Sequence, residues 1–243
     1  AKYTGDFSLP GMVYARILRP PSHGAKLTSV DYSAAEKLEG VKVMRDGDLI
    51  AVLHENRDMD DRAVVKIDAK YSFREMPVNE KTIFDFMLKT DSASGEVGSA
   101  GNLEAGKKLS VKTFESEFLD PYLAHTPIET HTALANIENN KITVWASTQN
   151  PFGLQEEIAE AIGYSLKNVR VITPFVGGGF GGKSANQQGI EAARLAKLSG
   201  KPVMVLWTRD EEFFYDHFHP AGVIKIRSGI DSTGMIKFWD YNI

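Results

Sequence analysis

Apolar positions along the chain fall into short runs separated by turn-forming residues. Residues 12–18 and 49–53 are apolar runs of strand length. The segment Ser33-Ala34-Ala35-Glu36 has the form of a capping box, and Gly40 is placed to end a short helix. After Asn56, the fourfold spacing of Met59, Ala63, Ile67 and Tyr71 predicts a helix. Residues 90–108 change character. They hold four Gly and three Ser, with Val97 and Leu103 as the large apolar side chains, and read as an exposed linker. Beyond it, residues 111–118 read as a strand, and residues 133–138 and 142–146 as a hairpin about Asn139-Asn140. Helices are predicted over 153–162 and 187–198, the second closed by Gly200 and Pro202. Residues 169–172 and 203–207 read as strands. So do 222–230 and 235–241, about the turn Asp231-Ser232-Thr233-Gly234. No internal repeat is visible.

Composition narrows the possibilities. The chain has 243 residues, 42% hydrophobic and 25% charged, which excludes disorder as its main state. A net charge of −4 argues against a general electrostatic grip on nucleic acid or an anionic membrane. No apolar run approaches the roughly 18 residues of a membrane span. Cysteine is absent, which excludes disulfides, thiolate metal sites, cysteine-ligated iron–sulfur clusters and cysteine nucleophiles within these residues. The compartment stays open. Neither terminus reads as a natural chain end, so a fragment of a longer polypeptide is expected.

The densest local signal is Gly177-Gly178-Gly179-Phe180-Gly181-Gly182-Lys183-Ser184, five glycines in eight residues between a strand and a helix. Ordering so many glycines is entropically costly, so the loop needs positive φ angles or close backbone approach. Three readings compete. It is a bare turn, a nucleotide P-loop of the form G-x-x-x-x-G-K-[ST], or an amide-rich cradle for an anionic, oxygen-bearing cofactor. The P-loop reading is weakened by the mainly antiparallel strands that follow and by the lack of a convincing Walker B strand.

Wider context favours the cofactor cradle. Residues 176–183 resemble the glycine-rich loop of the xanthine dehydrogenase/aldehyde oxidase family, the molybdenum hydroxylases. In the same order, residues 6–15, Leu18-Arg19-Pro20-Pro21, residues 30–35 and Glu39-Gly40-Val41 resemble the start of that family's α/β hammerhead domain. Residues 124–131 and Thr148-Gln149-Asn150-Pro151 resemble segments that precede the loop. Lys201-Pro202-Val203, residues 206–212 and His219-Pro220-Ala221 are most like the family's isoquinoline 1-oxidoreductase branch, in its β subunit.

The resemblance implies an α+β fold, with a hammerhead domain over residues 1–88, a linker over 89–108 and the first part of a molybdopterin-binding domain over 109–243. It implies a molybdopterin dinucleotide cofactor carrying molybdenum, held by Gly178, Gly179, Phe180, Gly181 and Gly182, with Gln149 a further contact. Phe180 and Gly181 would sit against the oxygen ligands of the metal. His125, Glu129 and Ser184 are candidates for the substrate pocket. The implied reaction is hydroxylation of an N-heterocycle or aldehyde with oxygen from water. Electrons would leave through an iron–sulfur subunit, in keeping with the missing cysteines. No protein-ligated metal and no catalytic residue is expected among these residues, because the family's general base is a later glutamate. The alternative is a folded, non-catalytic fragment unable to hold cofactor alone.

Two departures stand out. Leu123 occupies a position that is Gln in some relatives. Ser184 follows the loop lysine where purine-oxidising relatives carry Glu, which argues against a purine substrate. Elsewhere, Asp210-Glu211-Glu212 reads as a solvated acidic loop, Trp207 and Trp239 as core, and Ser184 as a helix cap.

Overall fold

The computed structural model describes residues 2–90 and 95–243. The chain forms two compact units. One comprises Ala1–Arg74 and Ala124–His217, the other Glu75–Leu123 and Phe218–Ile243.

The first unit is built on a seven-stranded mixed sheet. Its strands are β1 (Val13–Ile17), β3 (Lys42–Asp46), β4 (Leu49–His54), β7 (Thr132–Glu138), β8 (Lys141–Ala146), β9 (Val169–Ile172) and β10 (Val203–Leu206). They lie in the order β3-β4-β1-β10-β7-β8-β9. β1 runs parallel to β10 and β8 parallel to β9, and the other neighbours are antiparallel. Two longer helices, α5 (Pro151–Ile162) and α6 (Gln187–Ser199), cover one face. Leu154, Ile158 and Ile162 of α5 and Ala192, Ala193, Leu195 and Ala196 of α6 pack against Val13, Ala51, Val144 and Val205. The small α6 side chains let it sit close to the sheet. Gly189 meets Leu154, leaving no room for a β-carbon.

Residues 49–53 are apolar without alternation because β4 is buried on both faces. Leu49, Ala51 and Leu53 enter the main core. Val52 points the other way, into a second core with Ala35 of α1 (Ser33–Glu36), Val41 just before β3 and Ala63 of α2 (Arg57–Val64). The predicted capping box is replaced by an aspartate. Asp31 Oδ1 accepts from the amide of Ser33 at 2.9 Å, and Ser33 is already helical.

The helix predicted to reach Tyr71 stops at Val64. Asn56 caps its start as expected, its side chain accepting from Asp58 N at 2.8 Å. Beyond it, β5 (Asp68–Ser72) pairs with β2 (Lys26–Asp31). Met59 and Ala63 are helical as expected, but Tyr71 belongs to β5, where Ala69 and Tyr71 alternate with more exposed neighbours, so its fit to the fourfold spacing comes from a strand. Asn139 and Asn140 both adopt positive φ at the β7–β8 turn, as a tight hairpin requires.

The expected consecutive division is not how the chain packs. β1, β3 and β4 share one sheet with β7–β10, and Val13–Ala15 pair directly with Val203–Val205.

The second unit is a three-stranded antiparallel sheet, β12 (Ile236–Asn242), β11 (Gly222–Ile230) and β6 (Lys112–Asp120), with helices α3 (Ile83–Thr90) and α4 (Leu103–Leu109). All of α4 but its last residue lies inside the stretch read as a linker. Asn102 caps it through Ala105 N, and Gly106 is buried against Lys237 and Phe238. Trp239, expected in the core, is about half exposed, whereas Phe238 is buried. Among the described residues no helix is long and apolar enough to cross a membrane.

Candidate cofactor site

The glycine-rich loop follows β9 and precedes α6 at one edge of the first unit's sheet. It is braced from beneath by its own chain. Glu129 Oε2 accepts from Gly177 N at 2.8 Å and from Lys183 Nζ at 2.9 Å. Gln149 Oε1 accepts from Gly181 N at 3.0 Å, and Gln149 N donates to the Lys183 carbonyl at 2.8 Å. Thr148 Oγ1 donates to Asn186 Oδ1 at 2.8 Å, tying the Thr-Gln-Asn-Pro turn to the end of the loop. That turn also starts α5, where Asn150 caps Gly153 N and Pro151 fits the first helical position.

The glycines have distinct reasons. Gly178 and Gly181 have φ of 94° and 112°, which side chains rarely adopt. A β-carbon on Gly179 would collide with Gln149 Oε1, and one on Gly182 with Asp216 Oδ1. One on Gly177 would lie 2.5 Å from Glu129 Cβ. The outcome is a run of three amides, those of Gly178, Gly179 and Phe180, with no protein acceptor among the described residues. Consecutive free amides form a concave donor set suited to anionic oxygens. Phe180 has φ of 55° and is 72% exposed. Thr126 also has positive φ, 50°, a strained setting for a β-branched residue. Thr126 and Phe180 lie on the two segments that meet at the loop, and such strain is characteristic of functional sites.

Of the other candidates, His125 is mostly buried. Its Nδ1 is 3.3 Å from Asp216 Oδ2, and its Nε2 lies against Gly181. Ser184 is exposed in a 3₁₀ turn, Gly182–Ser184, and does not cap α6, which follows Asn186. Leu123 is half exposed and exchanges backbone hydrogen bonds with His219 in the second unit.

Below the loop lies an ionic layer that the acidic run of residues 210–212 helps to build. The reading of that run as a solvated loop fails, because Thr208 caps α7 (Arg209–Tyr215) in a reciprocal box with Glu211. This turns Glu211 and Glu212 inward. Glu211 pairs with Arg16 and Arg19, and Arg19 also grips Glu191. Trp207, buried as expected, donates Nε1–H to Glu191 at 3.3 Å. Glu212 binds His131, and both are fully buried. Thr208-x-x-Glu211 was the available signal for this arrangement.

Lys183 is fully buried. Burial pulls its pKa below the ordinary value of 10.5, and Glu129, with Glu212 and Asp216 farther off, offsets that only in part. His131, Glu212 and Asp216 each bring one ligand-type atom within 4.8 Å of the others. The Lys183 ammonium acts on Glu212 and Asp216 of that group. A Walker lysine must reach phosphate, and this one is enclosed, so the P-loop reading is set aside.

A model of the molybdopterin cofactor-binding domain matches residues 88–243. The chain belongs to this family. A nicotinate dehydrogenase subunit of Pseudomonas putida is 26% identical over 263 residues, covering 98% of this chain and 21% of that protein. The putative xanthine dehydrogenase molybdenum-binding subunit of Escherichia coli K12 is 26% identical over 291 residues, covering all of this chain and 38% of that protein. In fold, quinoline 2-oxidoreductase from Pseudomonas putida 86 superposes with a TM-score of 0.76 at 20% identity, over 96% of this chain and 36% of that one. Aldehyde oxidoreductase from Desulfovibrio gigas gives 0.79 at 14% identity, over 97% and 31%. The expected resemblance to the xanthine dehydrogenase/aldehyde oxidase group is thereby borne out. The molybdopterin-family chain spans 21% to 38% of the lengths of these proteins.

Proposed function

We propose that this chain forms one wall of the cofactor site in the molybdenum-bearing subunit of a hydroxylase. The observation that carries the reading is the run of three amides at Gly178, Gly179 and Phe180 that have no acceptor among the described residues, presented by a braced loop. Their donors fit the anionic oxygens of a pterin cofactor, here read as molybdopterin dinucleotide. When bound, that cofactor supplies the two-electron oxidation and the oxygen-transfer chemistry, with water as the oxygen source.

The chain's own residues bind and orient. The three amides donate to cofactor oxygens. The exposed Phe180 ring lies over the same face and keeps water from it. With Gln149 Oε1 engaged by Gly181, its side-chain amino group, without an acceptor among the described residues, adds a further donor beside the loop. His125 and the exposed Ser184 border the loop as substrate-pocket residues, whereas Glu129 faces inward as a brace. The substrate class is an N-heterocycle or an aldehyde, and electrons pass to an iron–sulfur partner subunit. Ser184 after the loop lysine disfavours a purine.

The test uses the full-length subunit from its natural host. Metal analysis should find molybdenum near one per subunit. Fluorescence of the oxidised pterin and nucleotide release on acid hydrolysis should identify the dinucleotide. A full-length subunit with neither molybdenum nor pterin overturns the reading.

A further inference from the structure

We infer that Glu129 and Lys183 form an internal clamp that sets the aim of the loop's free amides, and that both are positioning residues, not ligands. The inference rests on the reading that these amides hold cofactor oxygens.

A single atom, Glu129 Oε2, binds the amide of Gly177 and the ammonium of Lys183. Gly177 immediately precedes the three free amides, and Lys183 lies three residues beyond the last of them. The clamp therefore closes the loop at both ends through one oxygen. Glu129 also donates its own amide to the Gly177 carbonyl at 3.1 Å, so Gly177 is gripped on both backbone groups. At the other end, the Lys183 carbonyl accepts from Gln149 N, and Gln149 in turn fixes Gly181. Charge-assisted bonds of this kind are stronger than neutral ones and fix geometry in low-dielectric surroundings.

The lysine's burial explains why the loop carries a Walker-like G-K-S without the Walker function. Its side chain points inward, where Glu129, Glu212 and Asp216 need a cation. The charge is used to shape the backbone, and the backbone faces outward.

The test compares Glu129→Gln, Lys183→Met and the double variant in the full-length subunit. Hydrogen exchange is followed over residues 177–183, with molybdenum and pterin content read in parallel. In Glu129→Gln, exchange at Gly177 and also at Gly181, which Glu129 does not touch, is expected to rise at least tenfold. Exchange in α6 and β10 should stay unchanged. Cofactor content should fall severalfold in each single variant. The double variant, which removes both charges, should recover loop protection relative to Lys183→Met alone. Should Lys183→Met fail to fold, Glu129→Gln, nearly isosteric, decides alone. Wild-type loop exchange in Glu129→Gln overturns the clamp. Loosened exchange in Glu129→Gln, with no molybdenum or pterin in the wild type, keeps the clamp and removes the cofactor reading instead.

Discussion

Glu212 accepts from His131 twice, from the backbone amide at 2.8 Å and from ring Nδ1 at 3.0 Å. An ionised carboxylate only accepts, so Nδ1 carries a proton. Nε2 is buried without a partner among the described residues. The ring stacks on Trp207 with centroids 4.6 Å apart, which holds its plane. Burial pushes the Glu212 carboxyl up, but the hydrogen bonds and charge of His131, with Lys183 behind, more than offset this and leave it below 4.5. We expect Glu212→Ala to cost about 3–5 kcal/mol, the range for breaking a buried charged pair. Because the folded value is depressed, the stabilisation is full above pH 4.5 and is lost as pH falls through the folded value. Urea unfolding of wild type and variant from pH 3 to 7 checks both. A difference that does not shrink toward acid contradicts the ionised pairing.

The loop glycines should separate by what their added methyl meets. In Gly179→Ala the obstacle is the end of the Gln149 side chain, which swings away easily. We expect little loss of global stability, under about 1 kcal/mol, but release of Gly181 N and poor cofactor retention. In Gly182→Ala the obstacle is the buried Asp216 carboxylate, held near His125. Overpacking there should cost about 1–3 kcal/mol. Denaturation midpoints and molybdenum content of the two variants, measured together, give the comparison. Equal destabilisation by both would show that Gln149 is as immobile as Asp216.

Much of this was written locally. The strands, the Asn139-Asn140 hairpin, the helices α5 and α6 and the glycine-rich loop all follow from short-range pattern and turn chemistry. What failed depends on partners distant in sequence. Residues 210–212 look like a solvated acidic run until Arg16 and Arg19, nearly two hundred residues earlier, arrive beside Glu211. Lys183 looks like a phosphate ligand until Glu129 closes on it. Residues 90–108 look like a linker because α4 is short and glycine-containing, and only its packing on β12 makes Gly106 a requirement. Patterns report the backbone a segment prefers. They do not report which charge will neutralise which.

Gly106 offers a clean check on that helix. A methyl at this position collides with the Lys237 carbonyl, a backbone atom that cannot rotate aside, and with Phe238 Cβ. We expect Gly106→Ala to lift α4 from β12 at a cost of about 1–3 kcal/mol, despite the better helix propensity of alanine. Hydrogen exchange over residues 103–109 and 236–242 should accelerate while the seven-stranded sheet keeps its protection. Slower exchange, the result for a free helix, would show that α4 does not dock.

Asp60 sits on α2 at 1% exposure, with Oδ1 lacking any partner among the described residues. Burial pushes its carboxyl up to about 7, against the pull of Arg16 and with some help from Asp61. The folded state therefore binds a proton that the unfolded state, titrating near 3.8, has released. Stability falls as pH rises through this window, by up to about 1.4 kcal/mol per pH unit, and levels off above about 7. Asp60→Asn supplies a neutral group of the same shape and abolishes this slope. The variant should match wild type near pH 4 and exceed it by a margin that grows to neutrality and then stays constant. Urea midpoints taken at each pH from 4 to 8 measure the margin directly. Parallel curves would mean that Asp60 is ionised in the fold and that Arg16, already paired with Asp61 and Glu211, serves it as well.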